Sequence, residues 1–524
     1  MMKPVVLIIL DGWGYSPEER GNAIVQARKP TFDMLERQYP FGYLQASGIS
    51  VGLPWHEPGN SEVGHLALGT GRIKDQALER ISKAIKSGEF YKNPALLKAA
   101  EHVRARNSAL HLAGLFGSGS VHSYLDHLYG LLEFARQQNI RPVYLHLFLD
   151  GRDSPPKEGA GLIRKLEERL AKNDEGIIAT VVGRHYALDR TFHWDRTEKA
   201  YRLMTVGAGR RVRNVEEVIR EEYAKGTTDE FMEPLLLIHP EEKRSSLVQE
   251  GDALVFFEFR EDSARQIAYS FAKREKVRGF TPATIKDVLI LTMTEYEKGL
   301  GDLVIFPPEK TRSCLSELVS ASGMRQFKIA ETEKYAHITY FFNGGIEEPF
   351  AGEERRLIPS SEVTNFEHDP QMKASAIGEE LISALKKDEY AFLLANFANA
   401  DMLGHTGNME AAIAGIETID GIMSMIIQEV LARDGSLVIT ADHGNAESML
   451  NLVTGETVTE HSTSPVPIYL VRKELRVRKS ASDILRIKKE IHGVLPDVTA
   501  TVLELLGIPK PPDILGTSLL FLAS

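Results

Sequence analysis

The feature that most restricts how this chain can fold is an alternation of short aliphatic runs with longer amphipathic stretches. Runs of this kind, rich in β-branched residues and about the length of one strand, are typical of parallel strands buried on both faces, and the stretches between them have helical periodicity. The alternation predicts an α/β fold with mainly parallel sheets. The predicted strands are Val5–Leu10, Ala109–Leu115, Val143–Leu149, Ile177–Val182, Leu254–Phe259, Val288–Thr294, His337–Phe342, Tyr390–Phe397, Leu437–Thr440 and Ile468–Val471.

Several of these predicted strands run directly into polar residues. Leu10 is followed by Asp11, Leu149 by an Asp-Gly-Arg-Asp sequence, and Thr440 by Ala-Asp-His. Because ligands of open α/β sheets bind at the carboxyl ends of the strands, these positions are where a functional site is expected.

The two kinds of polar residue are separated along the chain. Asp, His and Ser residues suited to metal binding lie before position 75 and after position 395, whereas Arg-bearing strand ends lie between about 120 and 265. A chain of 524 residues also exceeds what one hydrophobic core usually organises. We therefore predict a discontinuous domain made of residues 1–75 and 311–524, with a second α/β domain, residues 76–310, inserted into it.

Charge and cysteine content limit the possible partners and location. The formal net charge of -11 argues against nucleic acid and anionic membranes as partners. The single cysteine excludes an intramolecular disulfide or a cysteine metal cage and fits a reducing compartment. The apolar run Val5–Leu10 is too short to span a membrane. We expect a cytoplasmic protein.

Asp and His residues near both chain ends predict a metal centre. Asp401 and His405 have the four-residue spacing that places two ligands on one helical face, and His461 is a third candidate. Asp11 and the pair Asp442-His443 lie at strand ends. Each alone is more often a helix cap or a structural histidine, but together they suffice for two metal sites. The oxygen and nitrogen ligands favour Mn²⁺, Mg²⁺ or Zn²⁺.

Ser61 is the candidate nucleophile. It follows Gly59-Asn60 and precedes an apolar-periodic segment that predicts a helix, whose first backbone N–H groups would face an incoming phosphate. A serine hydroxyl bound to a metal ionises more readily than a free one. The alternative is that Ser61 only caps this helix.

A group of basic residues in the middle of the chain predicts an anion site. Guanidinium groups bind phosphate and carboxylate bidentately, so a small anionic substrate is expected here, with Asp153 as a general base for one of its hydroxyls. Taken singly, surface arginines more often only solvate a face. The residues concerned are His122, Arg152, Asp153, Arg184, Arg190 and Arg260.

Long strings of the sequence resemble the cofactor-independent (2,3-bisphosphoglycerate-independent) phosphoglycerate mutases of the alkaline phosphatase superfamily. The resemblance covers nearly the whole chain and includes DGWGY, GNSEVGHLALGTGR, VHSYLDH, FLDGRDSPP, GRHYALDR, AETEKYAHITYFFNGGIEEPF, NFANADMLGHTGN, TADHGNAE and HSTSPVP. It implies a monomeric isomerase that interconverts 3-phosphoglycerate and 2-phosphoglycerate in glycolysis and gluconeogenesis through a phosphoserine, without bisphosphoglycerate.

The resemblance also implies roles for individual residues. One metal would be bound by Asp401, His405 and His461, and the other by Asp11, Ser61, Asp442 and His443. Mn²⁺ is the expected metal, two ions per chain, although the sequence does not exclude Mg²⁺, Co²⁺ or Zn²⁺. Ser61 would accept the phosphoryl group, Lys334 would contact it, and the basic group would hold glycerate. The discontinuous domain would be phosphatase-like and the inserted domain a phosphotransferase domain.

One departure from the family pattern leaves alternatives open. After the strand Leu254–Phe259 the family has an RxDRxR pattern, in which Ser263 here replaces the middle arginine, while Arg265 is retained. A metal-dependent phosphomonoesterase, or a mutase acting on a related phosphate, is therefore a second hypothesis. A third is an inactive metal-binding protein, which the presence of all seven predicted ligands disfavours.

Overall fold

The computed structural model describes residues 3–239, 244–309, 313–363 and 365–523. The strands, in chain order, are β1 Val5–Leu10, β2 Phe41–Gln45, β3 Leu110–Phe116, β4 Val143–Leu149, β5 Ile177–Gly183, β6 Arg210–Val212, β7 Leu235–Leu237, β8 Ala253–Phe256, β9 Leu289–Thr294, β10 Leu303–Phe306, β11 Gln326–Glu331, β12 Glu353–Ile358, β13 Phe392–Phe397, β14 Ser436–Thr440, β15 Val466–Val471 and β16 Gly493–Val494.

Helices connect most of these strands. The α-helices are α1 Ala23–Gln26, α2 Pro30–Gln38, α3 Ser61–Thr70, α4 Ala77–Ser87, α5 Pro94–Arg106, α6 Leu125–Gln137, α7 Gly159–Asn173, α8 Arg184–Ala187, α9 Trp194–Val206, α10 Val215–Ala224, α11 Glu261–Ala272, α12 Leu315–Ala321, α13 Ala374–Lys386, α14 Asn399–Gly404, α15 Met409–Ala432, α16 Ala481–Ile487 and α17 Pro496–Leu506. Within the described ranges, no helix is both long enough and apolar enough to cross a bilayer.

The predicted α/β class is confirmed, and one predicted strand is wrong. The segment predicted as a strand at 337–342 forms a π-helical turn, His337–Phe341. A short apolar run does not distinguish a strand from a buried helical turn, because both require only a few apolar residues. The charged strand β12 was not predicted, since it lies at the edge of its sheet and its residues are only partly buried.

The chain divides into two compact units. Unit 1 comprises Met1–Asp75 and Glu309–Ser524, and unit 2 comprises Gln76–Pro308. The predicted domain boundary between residues 310 and 311 lies outside the described residues.

Unit 1 is built on an eight-stranded sheet in the order β12-β11-β13-β1-β14-β15-β2-β16. Strand β15 is antiparallel to both of its neighbours, and the other pairs are parallel. The central strands β1, β13 and β14 are buried along their whole length, and helices α13 and α14 each pack against α15. These aliphatic strands supply the core, so their polar ends can hold functional groups.

Unit 2 contains a second eight-stranded sheet, in the order β10-β9-β8-β3-β4-β5-β7-β6. Its central strands β3 and β4 are fully buried and parallel, and only β7 is antiparallel to a neighbour, β5. The carboxyl ends of β4, β5 and β8 lead into the segments that carry the predicted anion-binding residues.

Candidate active site

The register of three parallel strands brings distant acidic residues of unit 1 together. Leu10 of β1 pairs with Phe397 of β13, and Ile9 pairs with Thr440 of β14, so the three strands end at the same edge. Asp11 follows β1 directly and is fully buried. Gly12 has φ +72°, and a Cβ there would lie 2.5 Å from the Cα of Asp401. Glycine is therefore required for this close approach.

Ser61 is the first residue of helix α3, and its hydroxyl does not serve as the helix cap. Asn60 is the N-cap and accepts a hydrogen bond from the backbone N–H of Val63, so Ser61 does not cap the helix. The Ser61 Oγ lies 3.1 Å from Asp11 Oδ1 and 3.0 Å from His443 Nε2. The cap residue thus leaves the serine side chain directed at the acidic cluster.

Lys334 lies at the centre of the same cluster. Its Nζ donates to Ser61 Oγ at 2.8 Å and to Asp11 Oδ1 and Asp401 Oδ2 at 2.6 Å each. The residue is nearly fully buried, in a short turn after β11. Burial alone would lower the pKa of Lys334, but Asp11 and Asp401 raise it above its ordinary value, so the ammonium stays charged.

Three predicted ligands converge on one point. Asp401 Oδ1 lies 3.3 Å from the Nε2 of His405 and 3.3 Å from that of His461, and these two ring nitrogens are 3.1 Å apart. Each ring pairs its Nδ1 with a backbone carbonyl, that of Thr459 for His405 and that of Gly59 for His461. With Nδ1–H donating, each Nε2 carries a lone pair directed at the other, an arrangement that fits a shared metal ion.

The second predicted ligand group is equally compact. His443 Nε2 lies 3.5 Å from both Asp11 Oδ1 and Asp442 Oδ2, and 3.0 Å from Ser61 Oγ. Asp442 Oδ2 is buried and has no hydrogen-bond donor that satisfies it among the described residues. The buried carboxylates of Asp11, Asp401 and Asp442 lie around the Lys334 ammonium. Oxygen and nitrogen donors of this kind fit divalent cations.

Asp11 and Asp401 are held in their ionised form. Burial alone would raise the pKa of Asp11, but Lys334 and His443 bring it below its ordinary value. The pKa of Asp401 is likewise lowered well below its ordinary value, because Lys334 and the neighbouring imidazoles outweigh the effect of burial. Deprotonated carboxylates are the form that binds metal.

A cavity of about 400 Å³ in unit 2 is lined by all six predicted anion-binding residues. Three of them come from different strand ends: Arg152 after β4, Arg184 after β5 and Arg260 after β8. The lining contains five arginines and three carboxylates. The cavity therefore suits a small anion better than a neutral ligand. The six residues are His122, Arg152, Asp153, Arg184, Arg190 and Arg260.

The arginines of this cavity differ in how they are held. Arg184 is buried and donates at 2.5 Å to both Asp150 and Asp153. Arg190 is exposed and pairs with Asp262 at 2.5 Å. Arg152 is exposed and makes no side-chain hydrogen bond or ion pair with any residue in the described part of the chain. Its guanidinium is thus available to a ligand.

Asp153 has the properties of a carboxylate base. Burial would raise its pKa, but Arg184, His122 and Arg152 bring it below its ordinary value, so Asp153 is ionised at neutral pH. His122 Nε2 lies 3.5 Å from Asp153 Oδ2. Burial and Arg184 lower the pKa of His122, so this imidazole is neutral at physiological pH.

The position where an arginine was expected lies on the cavity wall. Ser263 is buried, lines the cavity, and donates its hydroxyl to the backbone oxygen of Arg260. Arg265, which the sequence pattern retains, is not part of the lining; its Nε donates to the backbone oxygen of Tyr296. The additional cation on the wall is Arg196, which pairs with Asp189 at 3.0 Å.

The structure adds residues that the sequence analysis did not single out. In unit 1 these are His65, Asn396, Asn445 and Glu447, and in unit 2 they are His185 and Arg196. The sequence could have indicated His65, because it follows Ser61 by four residues and so lies on the same face of the predicted helix. No sequence pattern indicates Asn396, because the partners of a residue inside an apolar strand depend on strand pairing.

Comparison with known proteins shows the family to which the chain belongs. The sequence profile described as "Metalloenzyme superfamily" matches residues 3–510, which places the chain in that class of metal-dependent α/β enzymes. The 2,3-bisphosphoglycerate-independent phosphoglycerate mutases of Chloroflexus aggregans and Moorella thermoacetica are 44% and 45% identical to it, over 99% of this chain and 98% of each relative. The chain belongs to the 2,3-bisphosphoglycerate-independent phosphoglycerate mutase family, as the sequence resemblance predicted.

A solved structure supports the same assignment. The phosphoglycerate mutase of Leishmania mexicana, determined at low cobalt concentration, is similar with a TM-score of 0.65 and 30% sequence identity. The similarity covers 99% of this chain and 97% of that protein. The fold is therefore shared over the whole length and not only within one unit.

Proposed function

We propose that this enzyme interconverts 3-phosphoglycerate and 2-phosphoglycerate through a phosphoserine at Ser61, without bisphosphoglycerate. The observation that carries the proposal is the position of the Ser61 hydroxyl, 3.1 Å from Asp11, 2.8 Å from Lys334 and 3.0 Å from His443. The names of the full-length relatives support the same reaction. The proposed isomerisation requires both a nucleophile that accepts the phosphoryl group and a site that binds glycerate. This requirement explains why Ser61 and an anion cavity occur in one chain.

We assign two divalent cations to unit 1. Asp401, His405 and His461 would hold one, and Asp11, Ser61, Asp442 and His443 would hold the other. Bound there, the cations would neutralise phosphate charge and make the serine hydroxyl more acidic. Mn²⁺ is our proposed metal, and Co²⁺ is the first alternative to test, because the Leishmania mexicana relative was determined at low cobalt concentration.

The side chains of unit 1 have complementary parts in the transfer. Ser61 Oγ attacks phosphorus in line with the departing glycerate oxygen, and the first backbone N–H groups of α3 face the transferred group. Lys334, which stays charged, donates to the phosphoryl oxygens as charge develops on them. In the return step the other glycerate hydroxyl attacks the phosphoserine and displaces Ser61 Oγ.

We assign the binding of glycerate to unit 2. Its guanidinium groups would hold the carboxylate of glycerate and orient the two glycerate hydroxyls. The neutral imidazole of His122 would hydrogen-bond to the substrate. In the first step the departing glycerate oxygen would take up the proton that Ser61 Oγ loses. In the return step Asp153 would accept the proton of the attacking hydroxyl and release it as the displaced Ser61 Oγ regains one, so both residues end the cycle as they began. We propose accordingly that unit 1 is the phosphatase-like domain and unit 2 the phosphotransferase domain.

The test uses purified enzyme and 3-phosphoglycerate with no bisphosphoglycerate. 2-Phosphoglycerate and free phosphate are followed separately, before and after exhaustive chelation and after adding Mn²⁺ or Co²⁺. We expect 2-phosphoglycerate as the main product, loss of activity on chelation and its return with metal. Free phosphate as the main product would identify a phosphomonoesterase instead, the reaction that the replacement at Ser263 leaves open.

Ser61→Ala tests the nucleophile in the same assay. We expect turnover to fall by several orders of magnitude while folding is retained. Appearance of label from ³²P-labelled substrate on the variant protein would refute Ser61 as the acceptor. A monomeric state, a cytoplasmic location and the absence of nucleic-acid and membrane partners stay predictions.

A further inference from the structure

His65 is a fully buried histidine of helix α3, one turn after Ser61. Its Nδ1 lies 2.8 Å from the backbone oxygen of Ser61 and 3.1 Å from Asp442 Oδ2. Its Nε2 lies 2.9 Å from the side-chain nitrogen of Asn396. Both ring nitrogens are thus engaged, and both connect to the site of the second metal.

The hydrogen positions in this chain of contacts follow from Asp11. Asn396 Nδ2 lies 2.8 Å from Asp11 Oδ2. An ionised carboxylate only accepts hydrogen bonds, so Asn396 must direct its NH₂ group, and not its oxygen, at Asp11. The second hydrogen of that NH₂ then points to His65 Nε2, which must accept it. His65 consequently carries its proton on Nδ1, which donates to the backbone oxygen of Ser61 and lies 3.1 Å from Asp442 Oδ2.

This assignment distinguishes a supporting residue from a metal ligand. Ligand atoms of Asp11, His65 and Asp442 lie within 4.8 Å of one another, so by proximity alone His65 could bind metal. A coordinating histidine needs a ring nitrogen with a free lone pair, as His405 and His461 have. In His65 the Nε2 lone pair accepts from Asn396, and Nδ1 carries the proton.

The packing of α3 explains why the histidine reaches both carboxylates. A Cβ at Gly64 would lie 2.6 Å from the backbone oxygen of Asp442, so the helix approaches that strand end as closely as glycine allows. Because Asn396 lies in β13, beside β1, its amide bridges the neighbouring strand end and the helix. The two side chains therefore span the gap between α3 and the sheet.

We propose that His65 and Asn396 form a clamp that positions the Asp11 and Asp442 carboxylates for the second metal. The inference rests on the proposed two-metal function. It makes both residues positioning residues, and it predicts that their loss weakens the Asp11–Asp442 metal site while leaving the site of Asp401, His405 and His461 unchanged. Supporting residues of metal ligands typically contribute about ten- to a hundredfold in affinity.

The experiment is calorimetric titration of the metal-free full-length protein with MnCl₂. His65→Phe keeps the ring volume and removes both hydrogen bonds, and Asn396→Ala removes the clamp from its other end. His65→Asn tests rescue, because its amide nitrogen can donate from near the position of Nδ1. The matched control is Thr70→Val, in the same helix, where a buried hydroxyl donates to the backbone oxygen of Leu66.

We expect two binding events in wild type and Thr70→Val. In His65→Phe and Asn396→Ala one event should keep its affinity and the other should weaken about ten- to a hundredfold, with partial recovery in His65→Asn. Circular dichroism of the metal-free variants verifies folding, and should His65→Phe not fold, Asn396→Ala and His65→Asn supply the comparison.

Three results would overturn the clamp. They are unchanged affinities in Asn396→Ala, equal weakening of both events, and no difference between His65→Asn and His65→Phe. If wild type itself bound no metal, the proposed function would fail, which is a separate outcome from a failure of the clamp.

Discussion

Two arginines of the unit 2 cavity should respond differently to the same substitution. Arg152 is exposed and has no ion-pair partner among the described residues, whereas Arg184 is buried and bonded to Asp150 and Asp153. Arg152→Met should therefore reduce substrate binding and leave stability unchanged. Arg184→Met should reduce both, because it leaves the buried carboxylate of Asp150 without its cation.

The magnitudes follow from these contacts. A charge-assisted hydrogen bond contributes about 1.5–3 kcal/mol, so Arg152→Met should raise the KM for 3-phosphoglycerate about ten- to a hundredfold. Removing one partner of a buried ion pair costs about 3–5 kcal/mol. At roughly 2–4 °C per kcal/mol for a domain of this size, the Tm of Arg184→Met should fall by about 6 °C or more.

The assay combines steady-state kinetics with thermal unfolding of both variants, using Arg152→Lys to separate charge from bidentate geometry. Arg152→Lys should recover part of the lost affinity, since the charge remains and the planar fork does not. A normal KM in Arg152→Met would refute the assignment of Arg152 to the substrate. A normal Tm in Arg184→Met would refute the structural role of its ion pairs.

Three further predictions test other parts of the structure. Burial raises the pKa of Glu258 to about 8 from an ordinary 4.5, so between these pH values the folded protein keeps a proton that the unfolded chain releases. The free energy of unfolding should therefore fall as pH rises from about 5 to 8, by up to roughly 4–5 kcal/mol. Thermal unfolding across that pH range should show a smaller loss in Glu258→Gln. Gly64→Ala places a Cβ 2.6 Å from the backbone oxygen of Asp442, so metal affinity and Tm should both fall, and a variant with wild-type titration curves would show that α3 can move away freely. Asp153→Asn should lower kcat at least a hundredfold with metal binding intact, and loss of metal in that variant would contradict the separation of roles between the units.

The sequence alone determined which segments form most of the strands and which residue types lie at the strand ends. Aliphatic runs such as Val5–Leu10 identify strands without reference to any neighbour, because burial on both faces requires apolar residues throughout. Polar residues directly after those runs, such as Asp11, identify strand ends. The segment 337–342 shows the limit, since a short apolar run satisfies a buried helical turn as well as a strand.

Only the tertiary structure decided which groups act on one another. His65 and Asn396 are 331 positions apart, and their hydrogen bond exists because β13 lies beside β1 and helix α3 packs onto the same sheet edge. The same holds for the arginines: Arg152 and Arg184 are the same residue type, yet Arg184 is bound to two carboxylates and Arg152 has no ion-pair partner within the described ranges. Residue type fixes what a side chain can do, but its partners, and hence its charge state and availability, depend on packing between segments remote in the chain.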